Sequence, residues 1–314
     1  MKRLIVMLLL CAAAARMSAG ERDSLLVMFW NVENFFDWND QGEGESDKEF
    51  SYGGSRYWTK KRFYVKCDAI AKSIMWVGDR YGRMPDIIGL AEIENRGVLT
   101  KLLNSTLLRK YDYGIIHRDS RDRRGIDVAL LYRKSSLYPL STTFVSPDSL
   151  NTRDILHAHM CLQDGRKIDF IVNHHPSKYG GAEESVSRRN HVMSVLRNTC
   201  DSLLVAGHDR ILAMGDFNDT PDASQFNMLD GILQNKGLDP HRDGRGTIRY
   251  KGKWELIDFF MSRGFPTSEM KILQVPFLMT YDRSYPGYKP LRTYSGPRYI
   301  GGVSDHCPII ITIY

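Results

Sequence analysis

The residues best suited to chemistry stand at the end of an apolar run, in Ile211-Leu212-Ala213-Met214-Gly215-Asp216-Phe217-Asn218-Asp219. Residues two apart in extended chain point to the same side, so Asp216 and Asn218 face one target together. A carboxylate can hold a hard metal ion or take a proton from water, and a neutral amide can hydrogen-bond a phosphate or the attacking water. Alone, the pair reads as a strand followed by an Asx-rich turn. Other apolar runs end in the same polar way, however: 25–30 at Asn31, 87–90 at Glu92, and 167–172 at Asn173-His174-His175.

Two further acids extend the set. Asp258 lies inside the apolar run 254–261, where an unpaired carboxylate is costly to bury. A histidine is its natural partner, because a carboxylate on one ring nitrogen fixes the tautomer and raises basicity. Asp305-His306 precedes the closing run 309–313. If that strand is antiparallel to its neighbour, its start shares a rim with the other strand ends, where ligand sites in α/β architectures gather. The resulting carboxylates, amides and histidines suit phosphate-ester cleavage. Without cysteine support they favour magnesium, manganese or calcium over zinc. A metal would polarise the phosphoryl oxygens, a base would activate water, and a histidine would protonate or stabilise the leaving oxygen. Glu92 as a helix cap and His174 as a turn residue are the plain structural readings. Independent turns would not all select groups that metal and phosphate chemistry needs.

Positioning such residues needs many short strands. The continuous apolar run 25–30 predicts a strand buried on both faces. Helices are expected over 57–77, 99–108, 184–204 (stopped by Gly207) and 222–233. The acidic, Gly- and Ser-rich stretch 37–54 reads as a mobile solvated loop, 119–125 as a charged loop, 135–151 as turn-rich, 254–261 as one strand and 281–302 as a loop. Several strand connections lack a helix, so layered α/β sandwich architecture fits better than a single parallel sheet.

Residues 1–20 of the 314 read as a cleaved export signal: Lys2 and Arg3, the apolar run 4–15, then Ser18-Ala19-Gly20. The mature chain then begins at Glu21, and lipid attachment at Cys11 is the weaker reading beside bulky Leu10. No later stretch suits a membrane span. Without Lys2, Arg3 and Arg16 the formal charge falls from +6 to +3, too mild to argue for nucleic acid by itself. Clustering says more: Arg118, Arg121, Arg123 and Arg124 form one basic group and Lys178, Arg188 and Arg189 another. The remaining cysteines, Cys67, Cys161, Cys200 and Cys307, are widely spaced, and their pairing is not readable.

Seven motifs, in order, carry a resemblance: Trp30-Asn31-Val32-Glu33-Asn34; Asp86-Ile87-Ile88-Gly89-Leu90-Ala91-Glu92; Gly125-Ile126-Asp127-Val128-Ala129-Leu130; Asn173-His174; Gly215-Asp216-Phe217-Asn218; Ile257-Asp258-Phe259; and Ser304-Asp305-His306. The chain resembles the endonuclease/exonuclease/phosphatase superfamily of DNase I-like, metal-dependent phosphoesterases over nearly all of residues 21–314. The resemblance implies a four-layer α/β/β/α sandwich with two central mixed sheets flanked by helices. It implies Glu92 as main metal ligand, supported by Asn31 and Asp305. Asp216 and Asn218 would orient or deprotonate water and contact the phosphate. His306, paired with Asp258, would contact the scissile phosphate, with His174 near the leaving group beside Asn173. Ala91 departs from the glutamine common before the metal glutamate and removes a contact behind the metal. Trp58-Thr59, Arg62, 176–181 and Arg292-Thr293-Tyr294 resemble a secreted bacterial branch. In it, Lys178 and Arg292, with Arg124 of the basic group, are candidates to hold substrate phosphates. The implied substrate is a phosphoester, nucleic acid being favoured because basic and tyrosine-rich loops suit a backbone and bases. A phosphatase or sphingomyelinase-type phospholipase, and a catalytically inactive secreted binding module, are the alternatives.

Overall fold

A computed structural model describes residues 24–39, 42, 44–178 and 182–314. The expected leader, Asp40, Glu43 and residues 179–181 lie outside them. The chain runs through β1 (Leu25–Phe35), α1 (Glu45–Glu49), α2 (Lys60–Arg80), β2 (Ile87–Ile93), α3 (Arg96–Ser105), β3 (Tyr113–His117) and β4 (Asp127–Arg133). It continues through β5 (Leu137–Val145), β6 (Ile155–Leu162), β7 (Lys167–His174), α4 (Ala182–Val205), β8 (Ile211–Asp216), β9 (Gln234–Asn235) and α5 (Leu238–Arg242). The last part holds β10 (Ile248–Tyr250), β11 (Lys253–Glu255), β12 (Asp258–Arg263), β13 (Met270–Ile272), β14 (Met279–Asp282), β15 (Gly287–Pro290), β16 (Tyr294–Ser295), β17 (Arg298–Tyr299) and β18 (Ile309–Ile313).

Two six-stranded sheets carry the fold, ordered β13-β18-β1-β2-β4-β3 and β5-β6-β7-β8-β12-β9. Each has one parallel pair at its centre, β1 with β2 and β7 with β8, and antiparallel neighbours outside. Parallel neighbours need a crossover; α2 provides one and α4 the other. Strand periodicity divides the apolar runs between two cores. Leu25, Val27 and Phe29 pack into the core shared with the second sheet. Leu26, Met28 and Trp30 face the other way, against Phe63, Ile70 and Ile74 of α2. This is the expected mixed α/β sandwich, helices outside two stacked sheets. Thr59 caps α2 through the Arg62 N–H at 3.3 Å, and Asn95 caps α3 through Val98 at 3.1 Å.

Several expectations need correction. The stretch 37–54, read as solvated, contains α1, and Phe50 stacks on Phe36 at 5.2 Å. Its backbone is pinned to the arginine loop by Glu45 N to Arg123 O (3.0 Å) and Ser46 N to Arg124 O (3.2 Å). The expected helix over 222–233 is only a 3-10 segment, Ser224–Leu229, ended before Gly231 at φ +75°. The turn-rich segment 135–151 contains the nine-residue edge strand β5, whose half-exposed face hides its periodicity. Run 254–261 is two strands broken at Leu256-Ile257, and 281–302 contains most of the β14–β15 hairpin and the whole of β16–β17. Cys67, Cys161, Cys200 and Cys307 are all buried free thiols. No helix among the described residues is long and apolar enough to cross a membrane.

Gly215 sits where β7 and β8 leave no room for a side chain: a Cβ there would lie 2.4 Å from the Asn173 carbonyl oxygen. That oxygen is backbone and cannot swing aside. Gly215→Ala is expected to destabilise the protein by about 1–3 kcal/mol, read as a lower urea midpoint. An unchanged midpoint would show that the strands can part there.

Candidate active site

Both parallel pairs end at one rim, and local backbone distortion aims their polar residues. The β1–β2 register shifts between Asn31 and Phe35, and the β2–β4 register between Ala91 and Ile93. Glu33, Asn34, Glu92 and Asn218 lie in the left-handed region at φ 51°, 50°, 62° and 52°. Non-glycine residues there each cost about 1–3 kcal/mol, and bulges re-aim the side chain they carry.

The distances show convergence. Asn31 Nδ2 donates to Asp216 Oδ2 at 3.0 Å and to Glu92 Oε1 at 3.4 Å. His306 Nδ1 lies 2.8 Å from Asp258 Oδ2, so Nε2 is turned inward, 3.9 Å from both Asp216 and Asp305. His174 Nε2 stands 3.7 Å from Asp216 Oδ2. Asn218 N donates to Asp216 Oδ1 at 3.0 Å, while its side-chain amide holds the His175 carbonyl at 2.9 Å. Glu92 also accepts from Asn34 N at 2.7 Å and pairs with Arg124 at 3.5 Å. Glu92, Arg124, His174, Asp216, Asn218 and His306 line a cleft of about 600 Å³, with Arg123, Arg153 and Arg188 beside them. An adjoining hollow of about 880 Å³ carries Glu45, Glu94, Asp119 and Asp127. That hollow also carries Arg121 and Arg123 but none of Glu92, His174, Asp216 or His306, which makes the smaller cleft the candidate site.

Electrostatics divides these groups by role. Burial and the charge of Asp258 push Asp216 up to about 7, against the pull of His306. Burial disfavours charge on His306, but Asp258, then Asp216 and Asp305, hold its pKa well above the ordinary range. His306 is therefore an imidazolium near neutral pH. His174 is held neutral, first by burial and then by Arg153 and Arg124. Burial also opposes ionisation of Glu92, yet Arg124 and the Asn34 N–H keep its pKa below the usual carboxylate value.

The other sequence candidates lie further out. Asn173 is buried, its Nδ2 on the Met214 carbonyl at 3.4 Å, outside the cleft lining. Lys178 is paired with Asp219 at 3.4 Å and stands 4.0 Å from Glu255. Arg292 is paired with Glu33 and Asp305, both at 3.2 Å. Three residues escaped the sequence reading of the site. Arg153 clamps the His174 and His175 carbonyls at 3.1 and 2.6 Å. Buried Glu33, pushed up to about 7 by burial and Asp305, accepts the Thr293 N–H at 2.8 Å. Buried Lys66 reaches the Glu33 carbonyl and Thr293 Oγ1. Its charge next to Phe63, Cys67 and Ile70 on the apolar stripe of α2 was the available signal.

A hard divalent cation fits this donor set. Glu33, Glu92, Asp216, Asp258 and Asp305 gather in one mostly buried region, where burial first and then a neighbouring carboxylate raise Asp216 and Glu33. Asp216 and Asp258 stand opposite each other in the β8–β12 register, and Asn31 links Asp216 to Glu92, so oxygen donors adjoin at the rim.

Residues 26–314 match the sequence pattern of the Endonuclease/Exonuclease/phosphatase family, and the chain belongs to it. It is thus a hydrolase of a family that depends on divalent metal. Solved structures share the fold at low identity. An endonuclease/exonuclease/phosphatase family protein from Bacteroides thetaiotaomicron is 16% identical, with TM-score 0.59 over 92% of this chain and 94% of that one. A mannosyl-6-phosphatase from the same species is also 16% identical, with TM-score 0.58 over 92% and 100%. TDP2 from D. rerio, complexed with single strand DNA product, is 13% identical, with TM-score 0.57 over 93% and 99%. A comparison with curated proteins gave no match.

His175 behind the site yields a stability prediction. Burial, then Arg153 and Arg189, lower its pKa from 6.5 to about 3, and neither ring nitrogen is hydrogen-bonded among the described residues. Below pH 6.5 the unfolded chain takes up a proton that the folded one refuses, so stability falls as pH drops toward about 3. From pH 7 to 5 this loss is about 2 kcal/mol for one such histidine. His175→Leu should lose correspondingly less over that interval in urea titrations; equal losses in both proteins would contradict a neutral buried ring.

Proposed function

We propose that the protein hydrolyses phosphodiester bonds of nucleic acid outside the cytoplasm. The carrying observation is the chain Asp258–His306–Asp216, which meets Glu92 through Asn31 at one cleft. Glu92, Asn31 and Asp305 are the residues assigned to hold the cation, with magnesium, manganese or calcium matching oxygen donors. When bound, that ion supplies Lewis-acid polarisation of the phosphoryl group. Asp216, with Oδ1 fixed by the Asn218 N–H and a pKa of about 7, takes the proton of the attacking water. The His306 imidazolium faces the charge that develops on the phosphoryl oxygens, and Asp258 holds its ring in place. Neutral His174 is set to hydrogen-bond the leaving oxygen. Arg124 and Arg188 supply fixed positive charge along the cleft.

Nucleic acid is favoured by a basic lining wider than one phosphate needs and by exposed Tyr281, Tyr285 and Tyr288 on the β14–β15 hairpin. Buried Tyr294 packs against Trp58 and Phe50 instead. A second reading, a phosphomonoesterase for a small ligand, draws on the cleft volume of about 600 Å³, which suits one small molecule. A sphingomyelinase-type activity has less support, since Phe277 is exposed at the 276–278 turn but Leu278 is buried. Export follows from the leader reading of residues 1–20, and mass spectrometry of protein recovered outside the host cytoplasm should find Glu21 at its start.

Assays of wild type with magnesium on DNA, RNA, nucleotides, sugar phosphates and phospholipid head groups test the substrate class. Cleavage of sugar phosphates or lipids with none of nucleic acid would sink the nuclease reading. Asp216→Ala and His306→Ala are each expected to lower kcat roughly 10²–10⁴-fold, and Glu92→Gln to raise the magnesium concentration needed for half-maximal rate. A folded wild type that hydrolyses no phosphoester would favour the binding-module alternative.

A further inference from the structure

The geometry points to a second metal site, for a divalent transition ion of the zinc class, formed by His159, Asp169 and His208 at the far end of the second sheet. Asp169 is five residues before His174 on β7, so the cluster lies on the order of 16 Å from the cleft by strand rise. It plays no part in the chemistry proposed there.

Three elements build the cluster. His157 and His159, two apart on β6, share a sheet face, and His159 stands directly opposite Asp169 in the β6–β7 register. His208 arrives from the end of α4. There Gly207 N bonds Leu204 O at 3.0 Å and His208 N bonds Leu203 O at 2.9 Å, with Gly207 at φ +83°. This glycine-capped helix end fixes His208 over the sheet. The ring nitrogens then close on one carboxylate. His159 Nδ1 is 2.9 Å from Asp169 Oδ1 and His208 Nδ1 is 2.9 Å from Oδ2. The two imidazoles stack with centroids 4.3 Å apart.

Hydrogen bonding alone would satisfy Asp169, but it does not account for how many imidazoles meet there. His157 Nε2 is a third, 2.8 Å from Oδ1, with its own Nδ1 oriented by Thr143 Oγ1 at 2.9 Å. One buried carboxylate needs no stacked pair of weak bases beside it. A metal ion does, because neutral imidazole nitrogens are its natural donors and a carboxylate supplies charge. The ligand atoms of His159, Asp169 and His208 lie within 4.8 Å of one another. Donors around a tetrahedral zinc ion with ~2.0–2.1 Å bonds sit roughly 3.3 Å apart, so small side-chain shifts suffice. His157 takes the role of a partner that orients the ligating carboxylate. His208 is partly exposed and His159 slightly so, which gives an ion a way in. Nitrogen donors also separate this site from the all-oxygen set at the cleft, which favours harder ions.

The test uses full-length mature protein stripped with chelator and held in saturating magnesium. Zn²⁺ is titrated by calorimetry and Co²⁺ by visible absorption. Wild type is expected to take up one Zn²⁺, melt at a higher temperature with it, and give the intense d–d bands of low-coordinate Co²⁺. His208→Ala, at a partly exposed loop position, and His159→Gln should each weaken Zn²⁺ at least 10-fold while hydrolysis in magnesium is unchanged. His306→Ala should keep the Zn²⁺ site. No uptake by wild type, wild-type affinity in both histidine variants, or loss of uptake only in His306→Ala would overturn the assignment.

Discussion

Two hydrogen bonds that cross between the sheets hold the site together. His306 leads into β18 of the first sheet, and Asp258 opens β12 of the second; their contact is 2.8 Å. Asn31 of β1 reaches Asp216 of β8 at 3.0 Å. Both contacts lie at the same rim of a core in which Phe29, Met214 and Phe170 fill the space between layers. Such a core is as dense as an organic crystal, so the sheets cannot slide without separating these partners. Removing one member of a buried charged pair typically costs about 3–5 kcal/mol, because the other is left uncompensated. The same contacts therefore align the layers and set the protonation states of the cleft.

Asp216 and Asp258 are directly opposed in the β8–β12 register, which places two carboxylates side by side in low dielectric. Burial first and then their repulsion raise Asp216, and the same two carboxylates hold the proton on His306 against burial. Behind the cleft a second buried network balances in a similar way. Lys66, lowered to about 8 by burial, meets Glu33, raised to about 7, and Glu33 in turn holds Arg292 and the Thr293 N–H. The crossover helix α2 is thereby wired to the loop that carries Asp305.

What was legible in the sequence follows from this construction. Strands buried on both faces write continuous apolar runs, so β1, β2, β7, β8 and β18 were visible, and so were the polar residues that end or precede them. Asp258 was conspicuous because its cost in an apolar run demanded a histidine. β5, exposed on one face, and the short β3 gave weaker periodicity and were not read as strands. The tilt of Glu92 and Glu33 into the site depends on left-handed backbone, which no spacing rule reports. Phe50 belongs to an aromatic cluster with Phe36, Trp58 and Tyr294, contributed from distant parts of the chain. Its acidic neighbours concealed that packing.

Two of the four buried thiols are held in their unreactive form by burial. Cys200 and Cys307 are pushed up to about 12 by burial, so almost none of either is thiolate at neutral pH. Thiol exchange requires that anion. Those two sulfurs are therefore poorly disposed to exchange, and the four cysteines stand as buried free thiols with no covalent cross-link among them.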